Sequence, residues 1–86
     1  MHVRAVDPRD TVWEHDDATY RAYFWDRSRA ASDEYEVTGG DVEDVLAWAR
    51  ARAEETGSAY TLYVRVVDEG KSGLVRLSGV AGDPFA

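Results

Sequence analysis

Val42, Val45, Leu46, Ala49 and Ala53 recur at i, i+3, i+4, i+7 and i+11. That spacing draws one apolar stripe along an α-helix over DVEDVLAWARARAEETG. Asp41 is a natural N-cap, and Glu43 and Asp44 sit where the helix dipole favours anions. Gly57 is the expected residue just past the C-terminus. The alanines in the stripe predict a close approach of the helix to a sheet.

The pattern switches to period two on both sides of the helix. In AYTLYVRVV, Tyr60, Leu62, Val64 and Val66 alternate with Thr61, Tyr63, Arg65 and Val67. DEGKSG then supplies turn residues, and a shorter strand is expected near Leu74 to Ser78, closing a hairpin. Before the helix, YRAYFW (20–25) and EYEVT (34–38) read as two strands linked by the polar DRSRAASD. TVWE (11–14) is a candidate partner for YRAYFW, and VRAV a candidate edge strand.

Short links favour antiparallel pairing. One helix covers one face of a sheet. The expectation is an α+β domain: a two-layer antiparallel sheet with one helix on one face, in the order hairpin, helix, hairpin. The covered face takes Tyr20, Phe24, Tyr35, Val37, Leu62, Val64 and Val66. At 86 residues the chain is read as a single domain, 1–86, with 1–10 and 80–86 as loose termini.

By the same alternation Arg21, Tyr23 and Trp25 face away from the helix, as do Thr61, Tyr63 and Arg65. Trp48 lies about 120° from the centre of the helical stripe, at its flank. An uncovered face rich in Tyr, Trp and Arg has the residue types of interface hot spots. The competing reading is a self-contained face, where cross-strand aromatic pairs stabilise the sheet or the N-terminal segment folds over it. Arg21, Tyr23, Trp25, Tyr63, Arg65 and Trp48 are the candidate interaction surface, and Arg76 joins them if Val75 and Leu77 face the helix.

Charge narrows the partners. The formal net charge is −7, and Lys71 is the one lysine among ten basic residues. Such a chain is repelled by phosphate backbones and anionic membranes. The glycine-aromatic signature of RNA-recognition domains is also missing. No apolar run reaches the roughly 20 residues of a membrane helix. Without cysteine there is no disulfide framework and no thiolate metal site. A cytoplasmic location is the default expectation.

Candidate chemistry is sparse. WEHDDAT gathers Glu14, His15, Asp16 and Asp17, which are hard-cation ligand types on what reads as a solvated turn. TGGD opens the helix, but its own carboxylates repel an anion. Glu34 and Glu36 share one strand face and are expected to meet Arg21 or Arg65. No nucleophile elbow, P-loop or dinucleotide glycine pattern occurs. No catalytic residue, metal ligand or cofactor is assigned.

The combination YRAYFW…DVEDVLAWA…YTLYV…GLVRLSG resembles small uncharacterised proteins of actinobacteria, over most of the chain. The resemblance implies a bacterial source and carries no activity. The reading is therefore a small acidic, non-catalytic interaction domain, accessory or regulatory. It binds a protein partner or itself as a homodimer joined through sheet faces or edges. The alternative is a ligand-binding protein or small enzyme with a Tyr/Trp-lined cleft; single-stranded nucleic-acid binding ranks last.

Overall fold

The structure is a computed structural model that describes residues 1–11, 17–81 and Pro84. Its strands are β1 (Tyr20–Asp26), β2 (Ala31–Val37), β3 (Ala59–Asp68) and β4 (Lys71–Gly79), with α1 (Val42–Thr56) between β2 and β3. The sheet is antiparallel throughout, in the order β2-β1-β3-β4. This is the α+β architecture that the alternation and the single helical stripe predict.

Rows of side chains cross the strands and alternate between faces. One row under α1 runs Tyr35, Ala22, Leu62, Ser78; the next runs Val37, Tyr20, Val64, Val75. Ala22, Leu62 and Ala49 are fully buried, with Tyr20, Phe24, Val45 and Ala53 nearly so. Ala22, Ala49 and Leu62 share one core cluster, and methyl-sized side chains on both the helix and the sheet suit a close approach of the two. Tyr35, Val37, Leu46 and Val64 close the rim. Two expected core residues lie outside it: Val66 and Val42 are 40% and 45% exposed.

The helix ends as predicted. Gly57 takes the left-handed conformation at φ 65°, and the amides of Gly57 and Ser58 return to the carbonyls of Glu54 and Ala53. At the other end Asp41 occupies the cap position, but its side chain makes no cap hydrogen bond. Its carbonyl accepts from Val45 N at 3.0 Å.

The two hairpins use different turns. Between β3 and β4 the loop is two residues long, and Glu69 and Gly70 both take positive φ, as a primed turn requires. Between β1 and β2, Asp26 organises the loop. Its carboxylate accepts from the Ser28 hydroxyl at 2.7 Å and from Arg29 Nε at 2.7 Å. The Ser28 hydrogen bond, then Arg29, hold the Asp26 pKa down to about 2.

Three expectations for the ends of the chain are revised or fall outside the description. Residues 3–6, the candidate edge strand VRAV, form no strand and are exposed. They lead into a single 3-10 turn, Pro8–Asp10, preceded by an Asp7–Arg9 ion pair. The TVWE strand falls on residues 12–14, outside the described residues, and β1 already has a strand at each edge. Val80, expected in a loose tail, is tied to β3: its amide donates to the Tyr60 carbonyl at 2.9 Å.

Candidate interaction surface

The face of the sheet opposite α1 begins with the row Glu36, Arg21, Tyr63, Arg76, one residue from each strand. The next row places Glu34, Tyr23, Thr61 and Gly79 side by side. Tyr23 stands edge-on between two rings, 5.6 Å from Trp25 and 5.2 Å from Tyr63. Such T-shaped pairs put the positive edge of one ring against the negative face of another. The sequence alternation therefore brings Arg21, Tyr23, Trp25, Tyr63 and Arg65 onto one face.

Arg76 belongs on that face as well. A β-bulge between Leu62 and Tyr63 inserts Leu77 into β4, so Ser78 lies opposite Leu62 and Arg76 opposite Tyr63. Val75 then pairs with Val64 on the helix side.

Two candidate residues are placed differently from expectation. Trp25 is only 6% exposed. Its indole Nε1 donates to Thr61 Oγ1 at 2.9 Å, and Thr61 is fully buried. Thr61 Oγ1 in turn donates to the Val80 carbonyl at 2.7 Å. Gly79 makes this crossing feasible: it takes φ +92°, and a Cβ there would collide with the Tyr60 carbonyl oxygen. The chain leaving β4 thus closes one end of the face, and Trp25 is a packing residue. The available signal in the sequence is the glycine that ends β4.

Trp48 is on the opposite side of the sheet. It packs edge-on against Phe24 at 5.6 Å and Tyr35 at 6.0 Å, and remains 37% exposed. Arg52, one turn further along α1, lays its guanidinium 4.8 Å from the Tyr35 ring centre and donates to Tyr35 Oη at 2.7 Å. Trp48 therefore belongs to a lid over the core, built from α1 and β2, and shares no surface with Tyr23 and Tyr63. The Trp48–Arg52 spacing of one helical turn was the available clue.

The arginines differ in their partners. Arg21 bridges to Glu36 at 3.3 Å across β1 and β2, with both side chains partly solvated. This is the cross-strand ion pair expected for one of the two carboxylates. Arg65 is two strands away from β2 and donates to Ser72 Oγ at 2.8 Å instead. Arg76 donates to the Gly79 carbonyl at 3.1 Å. Arg65 and Arg76 keep their charge uncompensated by any described carboxylate within ion-pair distance.

Two depressions mark the surface. One, of about 570 Å³ and open to solvent, is lined by residues 17–19 and 64–67. The other, of about 180 Å³, lies at the start of α1 among Asp17, Gly39, Gly40, Asp41 and Asp44. Among the described residues that line them there is no tyrosine or tryptophan. Among the described residues no group of His, Asp and Glu is arranged to hold a metal ion. Glu14, His15 and Asp16 lie outside the described residues. No described helix is long and apolar enough to cross a membrane.

The chain matches no protein family, no curated protein and no solved structure.

Proposed function

We propose that this chain is a non-catalytic protein-interaction domain that presents the sheet face opposite α1 to an acidic surface of a protein partner. The observation that carries the reading is the row Arg21, Tyr63, Arg76 beside Tyr23 and Arg65. Here half-buried rings lie next to two guanidinium groups that no described carboxylate neutralises. The rest of the chain is acidic, so these arginines are where a negative partner would be steered. Tyr and Arg supply rigid contact area together with charge-assisted hydrogen bonds. The described residues that line the two depressions do not pair an acid with a base in a way that suits proton transfer or nucleophilic attack.

The test is quantitative affinity capture with three baits: the wild-type chain, Tyr63→Ala and Trp48→Ala. A protein held by wild type and Trp48→Ala but lost by Tyr63→Ala supports the face. A capture profile identical for all three baits removes it.

A further inference from the structure

We infer that the outer edge of β4 is a self-association site, where β4 of one chain pairs antiparallel with β4 of a second copy around a two-fold axis. This site adjoins the aromatic face at Arg76 but does not depend on that face meeting a partner.

The edge comes first. β4 is the last strand of the sheet, so alternate amide and carbonyl groups along it point away from β3 and meet no described strand. Seven consecutive residues, 71–77, are exposed. An edge of that length is a ready template for another strand unless charge, proline or a covering element blocks it. β4 has no proline and no acidic residue. Its bulge lies at Leu77, near one end, and leaves the pairing from Lys71 to Arg76 regular.

The side chains point the same way. β1 reaches only Ala59–Val64 of β3, so the outer half of the β3–β4 hairpin projects past the sheet. Val66, Val67 and Leu74 are between 38% and 55% exposed there, and Val75 and Leu77, further along β4, are 50% and 43% exposed. Apolar groups on both faces of an edge strand have no use in a monomer this small, which needs every large aliphatic for its core.

Five of the ten exposed large hydrophobic side chains among the described residues lie on this hairpin, the others being Met1, Val3 and Val6 near the N-terminus and Val42 and Trp48 on α1.

Charge selects β4 over the other edge. β2 carries Asp33, Glu34 and Glu36, and self-pairing there would bring carboxylates together. With Val75 of β4 on the two-fold axis, Val75 meets its own copy and Leu74 meets the partner's Arg76. The aliphatic stem of arginine covers a leucine well, and no two like charges stand directly opposite. The product is one continuous eight-stranded sheet, closed by symmetry.

Sedimentation velocity on the full chain tests this, with hydrogen exchange read along β4. Wild type should sediment as a dimer, with both alternate sets of β4 amides protected. Val75→Lys and Leu74→Lys change exposed side chains and should keep the monomer's circular dichroism. Each should weaken dimerisation at least roughly 30-fold and release one alternate set of amides. Val42→Lys, on an exposed part of α1, should stay dimeric. A wild-type chain that is monomeric at every concentration overturns the inference. So does a dimer indifferent to both β4 variants, or an open-ended polymer of the kind that β4 pairing with β2 would produce. If Tyr63→Ala breaks the dimer and Val75→Lys does not, the β4 site is lost and the aromatic face stands. If Val75→Lys breaks it while the capture profiles are identical, the aromatic face is lost and the β4 site stands.

Discussion

Trp25 and Thr61, which sit 36 residues apart, are joined by a buried 2.9 Å hydrogen bond from the indole nitrogen to the threonine hydroxyl. The hydroxyl passes the link on to the Val80 carbonyl. One side chain thus ties β1, β3 and the segment after β4. Thr61→Val keeps the shape but removes both the acceptor and the donor. We expect a loss of about 2 kcal/mol, the usual cost of deleting one partner of buried hydrogen bonds. Urea unfolding should show the midpoint falling at unchanged slope. A midpoint within error of wild type would mean that the relay carries no stability.

Gly79 and Gly57 both take positive φ, but their surroundings differ. A Cβ at Gly57 meets nothing within 4 Å, whereas at Gly79 it would strike the Tyr60 carbonyl and lie 3.0 Å from Thr61 Cα. Gly57→Ala should therefore cost about 1 kcal/mol, from the backbone conformation alone. Gly79→Ala should cost more, because the chain must also lift off β3 and release Val80. Thermal melts of the two variants, run side by side, decide the point: equal losses would contradict the close approach.

Asp26 gives the chain an acid-sensitive loop. Its folded pKa is depressed to about 2 from an ordinary value of 3.8, first by Ser28 and then by Arg29. A depressed carboxylate stabilises the fold above its unfolded pKa and loses that contribution as pH falls through the folded one. The stabilisation should be complete above about pH 5 and gone below about pH 2. Asp26→Asn should thus melt below wild type at neutral pH and converge with it toward pH 2. The side chain is partly solvated, so the gap should shrink in high salt. A gap independent of pH would assign the effect to hydrogen-bond geometry in the turn.

How far the sequence could be read depends on whether a feature is local. The helix with its Gly57 stop and the alternation in β1 and β3 follow from nearest-neighbour geometry, and the structure has them where the pattern puts them. The Arg21–Glu36 pair was legible for the same reason, since it needs only the β1–β2 register. Trp25 was misplaced because its hydrogen bond runs to Thr61 and on to Val80, and alternation does not show how the bulge at Leu77 and the turn at Gly79 bring Val80 back over β3. Trp48 was left at the flank because an angle on a helical wheel does not show how far a large ring reaches over Phe24 and Tyr35. The exposed valines of the hairpin were invisible because alternation cannot reveal that β1 stops pairing at Val64. Val66 keeps the core parity but lies past the end of β1, with only Gly73 of β4 opposite it.

Arg65 separates a contact residue from a structural one. It sits on the sheet face opposite α1, beyond the last residue of β3 that pairs with β1, and its guanidinium donates to Ser72 Oγ at 2.8 Å. That bond is exposed and joins two residues of the same hairpin, so removing it should lower stability by only a few tenths of a kcal/mol. The guanidinium has no described carboxylate within ion-pair distance, which leaves it able to meet one on a partner. Arg65→Ala should therefore leave the melting temperature nearly unchanged and weaken binding of a protein captured through Tyr63 by about 1 kcal/mol or more, roughly fivefold in Kd. Arg65→Lys keeps the charge and loses the planar fork, so it should recover only part of the affinity. The loss should shrink as salt is added, because a steering charge acts through a screened field. Full affinity in Arg65→Ala, at any ionic strength, would remove Arg65 from the contact and leave it as a hairpin brace.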